Sequence, residues 1–135
     1  MSVLFVDTSF YQALLNPRDR WHTKALEFSR EYRGGMVTSE YVLCELGTLM
    51  CAPRLRPIFM EFVGLLDVAS AVEIVPASAG HFRAGLALFA SRPDKEWSMT
   101  DCVSFAMMSA RGIVEALAFD HHFEQAGFRL LPGSR

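Results

Sequence analysis

Short apolar runs alternate along this chain with longer segments of helical periodicity, and that alternation leaves few folds open to it. Residues 2–6, Met36-Val37, Val72-Glu73-Ile74-Val75 and residues 116–119 read as strands, with a further edge strand at Phe128-Arg129-Leu130-Leu131. A first helix carries Leu14 and Leu15 and closes at Asn16-Pro17. A second spans about 19–32, with Trp21, Ala25, Leu26 and Phe28 as its apolar stripe, and Gly34-Gly35 breaks it. A third, over about 39–51, places Val42, Leu43, Leu46, Leu49 and Met50 on one face; a fourth covers about 58–68, after Pro57. Ser78 caps a helix bearing Phe82, Leu86 and Phe89, Ser98 opens one over about 99–110, and a short helix starts at Asp120. Strands alternating with helices predict a three-layer α/β domain with a mainly parallel sheet of four to five strands. At 135 residues this is one domain, 1–135, with no internal repeat or linker.

Composition narrows the setting. Apolar residues make up 51% and charged residues 21%, a globular balance rather than a disordered one. The longest apolar stretch, residues 84–90, falls well short of the roughly 20 residues a membrane-spanning helix needs. The start of the chain has no basic region, extended apolar core or small-residue cleavage site, so the expected location is the cytoplasm. Cys44, Cys51 and Cys102 are odd in number, and the first two lie about 10 Å apart along one helix, too far for a disulfide. They read as reduced, buried residues. A formal charge of −2 does not advertise nucleic-acid binding, yet 11 of the 13 basic residues are arginines, whose planar fork suits phosphate.

Four acids stand where the chain turns or packs. Asp7 ends the first apolar run and Asp120 ends the run 116–119, while Asp101 opens a helix and Glu45 lies inside another. Asp7 and Asp120 could each be a helix cap, but the carboxyl ends of strands in an open α/β sheet are also where ligands bind. Ser98-Met99-Thr100-Asp101 fits a capping box. Glu45 caps nothing, and a carboxylate at the edge of an apolar stripe is costly unless a cation compensates it. Such a set, gathered at one sheet edge, calls for a divalent ion. Asp and Glu without Cys or His at ligand spacing select a hard ion, Mg²⁺ or Mn²⁺, over zinc. The ion would polarise a phosphate oxygen and acidify a water.

Phe5-Val6-Asp7-Thr8-Ser9, Val42-Leu43-Cys44-Glu45-Leu46, Trp97-Ser98-Met99-Thr100-Asp101-Cys102 and Ala118-Phe119-Asp120-His121-His122-Phe123 occur in the order and spacing of one family's acidic motifs. Over nearly its whole length the chain resembles PIN-domain ribonucleases, particularly small VapC-like toxins of toxin–antitoxin pairs. The resemblance implies a five-stranded parallel sheet and Mg²⁺- or Mn²⁺-dependent cleavage of single-stranded or loop RNA, leaving a 5′-phosphate on the downstream fragment. It maps the catalytic and metal-holding set onto Asp7, Glu45, Asp101 and Asp120, with Ser9 and Thr100 as supporting hydroxyls. It also implies a cognate antitoxin and a homodimer.

Other features have plainer readings. Asp94 is a loop or hinge residue, and Arg18, Arg20, Arg92 and Lys95 are candidates for phosphate contact. His121 and His122, if helical, point about 100° apart and do not share one ion; they read as surface residues, with His121 near the rim of the site. Phe59, Met60, Phe62 and Leu66 are core, part of their face offering a groove to an antitoxin helix. Trp97 is either a stacking surface for a base or a packed residue before the Ser98 cap. Two other readings stay open: a catalytically silent metal-binding or protein-interaction module, and a metal-dependent phosphatase. The latter class wants a second Asp two residues after Asp7, where this chain has Ser9.

Overall fold

A computed structural model describes residues 2–133. The described chain runs β1 (Leu4–Val6), α1 (Thr8–Leu15), α2 (His22–Glu31), β2 (Met36–Ser39), α3 (Glu40–Leu49), α4 (Arg56–Val68), β3 (Val72–Val75), α5 (Ala79–Ser91), α6 (Met99–Arg111), β4 (Glu115–Leu117), α7 (His122–Gln125) and β5 (Arg129–Leu131). The strands form one sheet in the order β3-β2-β1-β4-β5, every neighbouring pair parallel. The α/β expectation and the parallel sheet are therefore observed.

Successive residues of a strand point to opposite faces, so a strand buried at every position must be covered on both sides. That is the case for β1, where Leu4, Phe5 and Val6 are each at most 1% exposed. The core gathers around this strand, with Phe105 and Met108 of α6, Val42 and Leu46 of α3, and Phe123 of α7 all buried. Helices α5 and α6 approach so closely that a Cβ on Gly85 would sit 2.4 Å from Val103 Cγ2 and 3.0 Å from its backbone. Glycine is required there by the neighbour, not by its own dihedral angles.

From β1 the chain steps outward to β2 and β3, then returns through α5 and α6 to place β4 on the other side of β1. The strand order thus reverses between β1 and β4, and in open α/β sheets that reversal opens a crevice at the carboxyl ends of the strands.

Several boundaries and faces differ from the sequence expectation. The second helix starts at His22, because Asp19 closes a turn instead: its Oδ1 accepts from Trp21 N at 2.8 Å. Leu49, expected on the buried face of α3, is 48% exposed near the helix end. The strand expected over 116–119 ends at Leu117. Phe119 N donates to Ser9 Oγ at 2.9 Å, and its ring stacks on Trp21 at 5.1 Å, turning the chain out of the sheet. Asp120 consequently lies beyond the strand, and the last helix begins at His122 rather than Asp120.

Candidate functional site

Asp7 follows β1 directly and caps α1. Its Oδ2 accepts from the backbone N–H of Ser9 at 3.1 Å and from Ser9 Oγ at 2.7 Å. Asp101, at the third position of α6, completes a capping box: Ser98 Oγ accepts from Asp101 N, and Asp101 Oδ2 accepts from Ser98 N, both at 3.0 Å. Asp120, in the turn after β4, uses Oδ1 to accept from His122 N at 2.9 Å. Each acid therefore commits one oxygen to the fold. Asp7 Oδ1, Asp101 Oδ1 and Asp120 Oδ2 take no hydrogen bond among the described residues. Capping and ligation do not compete here, since a carboxylate has two oxygens.

The crevice at the strand reversal brings these three acids together, and Asp7 and Asp101 are poorly solvated while Asp120 is 27% exposed. Asp7 is 3% and Asp101 5% exposed. Burial pushes the Asp7 carboxyl up from 3.8 to about 7; the two Ser9 hydrogen bonds oppose that rise, and the nearby charges of Asp101 and Asp120 add to it. Burial also raises the Asp101 carboxyl, helped by Asp120 and opposed by Ser98 and His122. Mutual repulsion among desolvated carboxylates is what a divalent cation would relieve, and an all-oxygen set of this kind fits Mg²⁺ or Mn²⁺.

Glu45 is half-buried on α3, which packs against both α1 and α6, the helices that begin at Asp7 and Asp101. Thr8 Oγ1 reaches Val42 O, one turn before Glu45, at 3.5 Å. Glu45 forms no hydrogen bond or ion pair among the described residues, and no arginine claims it. Of the two hydroxyls, Ser9 links Asp7 to Phe119 N, whereas Thr100 makes no hydrogen bond among the described residues.

The histidine pair departs from the sequence reading. His122 is only 22% exposed, and its Nδ1 lies 3.0 Å from Asp101 Oδ2 and 3.3 Å from Asp120 Oδ1. His121 is 71% exposed, but its ring centroid is 4.7 Å from that of His122. Asp120, His121 and His122 can each present a ligand atom within 4.8 Å of the others. His121 stands just before α7 with near-helical dihedrals (φ −63°, ψ −14°), yet both imidazoles come within reach of Asp120. The signal that could have found His122 was its place two residues after an acid at a helix start, where an Asp side chain folds back to the backbone.

Neighbouring groups are largely engaged. Arg92 forms a two-pronged pair with Asp94 at 3.0 and 2.9 Å and lies 5.2 Å from the Trp97 ring centroid, so Asp94 is a loop residue held by its own arginine. Trp97 is buried and donates Nε1–H to Gln125, which settles its packed role. Arg20 lies 4.6 Å above Trp21, beside the Phe119 stack.

The family model described as PIN domain matches residues 4–129. The 23S rRNA-specific endonuclease VapC20 of Mycobacterium tuberculosis is 31% identical over 129 residues, covering 93% of this chain and 95% of that protein. Its crystal structure, described as that of a Sarcin-Ricin loop cleaving toxin, aligns with a TM-score of 0.84 at 30% identity, over 94% of this chain and 96% of that one. FitAcB from Neisseria gonorrhoeae (TM-score 0.68, 94% and 95% covered) and VapBC2 from Rickettsia felis bound to a promoter DNA fragment (0.66, 95% and 96%) are each 14% identical and share the fold. Acids gathered at the β1–β4 reversal, a match over residues 4–129 and a full-length relative at 31% identity agree: the chain belongs to the PIN domain family.

Proposed function

We propose that this chain is a Mg²⁺- or Mn²⁺-dependent endoribonuclease that hydrolyses phosphodiester bonds in single-stranded or loop RNA, the toxin of a toxin–antitoxin pair. The observation that carries the reading is the convergence of Asp7, Asp101 and Asp120, each with one oxygen committed to the fold and one unbonded. Asp7, Asp101 and Asp120, with Glu45 from α3, would hold the ion. When bound, the ion supplies Lewis acidity toward the scissile phosphate and toward a water. Ser9 fixes the Asp7 carboxylate and ties it to the Phe119 turn that delivers Asp120. Cleavage of the 23S rRNA loop named for the relative supports structured RNA as the substrate class.

The antitoxin would lie in a groove of about 860 Å³ between α1, α3 and α4, lined by Leu15, Leu49, Leu55 and Ile58 with Arg18 and Arg54. An amphipathic helix with acidic residues is its complement. The groove lies beside the face expected from sequence: Phe59, Phe62 and Leu66 pack into the core, and Met60 is 66% exposed. Phe82, Leu86 and Phe89, 42%, 37% and 46% exposed on α5, support a homodimer.

The test is cleavage of a structured RNA pool with Mg²⁺, with Mn²⁺ and with EDTA, by wild type and by Asp7→Asn and Asp101→Asn. Cutting that needs the metal and both acids supports the proposal. Metal binding without cutting would instead favour the silent module, and phosphate release from small esters the phosphatase.

A further inference from the structure

Asp101 and Asp120 reach the crevice from different elements, α6 and the turn after β4, and nothing in the sheet ladder ties one to the other. A single imidazole does. His122 Nδ1 is hydrogen-bonded to Asp101 Oδ2 at 3.0 Å, as donor when that acid is ionised, and lies within ion-pair distance of Asp120 Oδ1 at 3.3 Å. Both oxygens are the ones already held by backbone N–H groups, those of Ser98 and of His122 itself. The imidazole thus grips the committed side of each acid and leaves Asp101 Oδ1 and Asp120 Oδ2 unbonded.

The backbone beneath this ring is anchored. Phe123, the next residue, is fully buried and meets Phe105 of α6 edge-on, with ring centroids 4.9 Å apart. Gln125 accepts from Trp97 Nε1 at 3.0 Å, joining α7 to the segment just ahead of the Ser98 cap. His122 is therefore carried on a short helix fastened to the same α6 whose acid it holds. Its place in the fold is better defined than that of His121, whose ring is 71% exposed and whose Nδ1 is 3.9 Å from Asp120 Oδ1.

We infer that His122 is a positioning residue of the metal pocket, an imidazole clamp that sets the spacing of Asp101 and Asp120 before the cation arrives. The inference rests on the metal-nuclease reading given above. Outer partners of metal-binding carboxylates are worth roughly 10–100-fold in metal affinity or activity. His122 acts on the ligands, so its removal shifts the metal concentration needed for activity more than the rate at saturating metal.

The test uses the full chain and Mn²⁺. Affinity is measured by calorimetry and by the electron spin resonance of free ion, for wild type, His122→Ala and His122→Asn. An Asn amide nitrogen takes the place of Nδ1 without a titrating ring. Thermal melting in EDTA checks that each variant is folded. We expect His122→Ala to bind Mn²⁺ about 10–100-fold more weakly. We also expect His122→Asn to recover most of that loss and the alanine variant to regain most of its cleavage rate at high Mn²⁺. Unchanged affinity in folded His122→Ala, with wild type binding and cutting, would overturn the clamp and leave the nuclease reading intact. Nitrogen coupling in the bound-Mn²⁺ spectrum, absent from His122→Ala and not restored in function by Asn, would overturn it in favour of direct ligation. Wild type that binds no Mn²⁺ and cuts no RNA would sink the nuclease reading and the clamp with it.

Discussion

Replacing Asp7 by Asn should make the metal-free protein more resistant to unfolding as pH rises. In the folded chain the Asp7 carboxyl titrates at about 7 instead of 3.8, because burial and the neighbouring acids disfavour its charge. Below 3.8 both folded and unfolded chains hold the proton, and the group has no pH-dependent effect. Between 3.8 and about 7 the unfolded chain releases the proton and the folded chain does not, so stability falls steadily; above about 7 the loss is complete. Three units at about 1.4 kcal/mol each make a total near 4 kcal/mol, of which about 2–3 kcal/mol accumulates between pH 5 and pH 8. Asn carries no charge and escapes this loss. Its buried NH₂ brings a pH-independent cost of about 1–3 kcal/mol if no acceptor meets it. The decisive quantity is therefore the change in the gap between the two proteins, not its size at one pH. At roughly 4 °C per kcal/mol for a domain of this length, the variant's Tm should gain about 10 °C on wild type between those pH values in EDTA. A gap that stays constant from pH 5 to pH 8, or narrows, would refute a buried, repelled Asp7.

Ligand-linked stability gives a complementary expectation: Mn²⁺ at 100 times its dissociation constant should add about 2.7 kcal/mol to wild type at pH 8 and far less to Asp7→Asn, as read by thermal melts. Ser9→Ala removes the 2.7 Å bond to Asp7 and the acceptor for Phe119 N, and should cost about 1 kcal/mol of stability and 10–100-fold in cleavage rate. Glu45→Gln should weaken Mn²⁺ binding in calorimetry while leaving the EDTA melting curve unchanged, since Glu45 has no hydrogen bond or ion pair to lose among the described residues. Gly85→Ala forces a methyl to 2.4 Å from Val103 Cγ2 and should destabilise the protein by about 1–3 kcal/mol in urea, with RNA cleavage unaffected below the unfolding transition.

Much of this was legible in the sequence because it depends on local pattern. The apolar run before Asp7, the Asn16-Pro17 stop and the Ser98–Asp101 box are each set by neighbours within four residues, and all reappear in the structure. Strand order was less accessible: the return from β3 to the far side of β1 is decided by how helices pack, and only that return explains why Asp7 and Asp120 can meet. Phe119 favours a strand by type, yet its N–H finds Ser9 and its ring finds Trp21, both over 90 positions away in the chain, which ends β4 early. The surface reading of His122 fails for a related reason. Spacing shows that two histidines are adjacent, but not that the fold sets one imidazole between acids 21 and 2 residues away.

The late position of β4 bears on biosynthesis. Every segment up to α6 can be synthesised and begin to fold while the slot beside β1 is still open, and the last acid comes only with the turn that follows β4. Until β4 and the turn after it are in place, the pocket lacks Asp120, so any metal-dependent cutting would wait for the last strands of the sheet to dock.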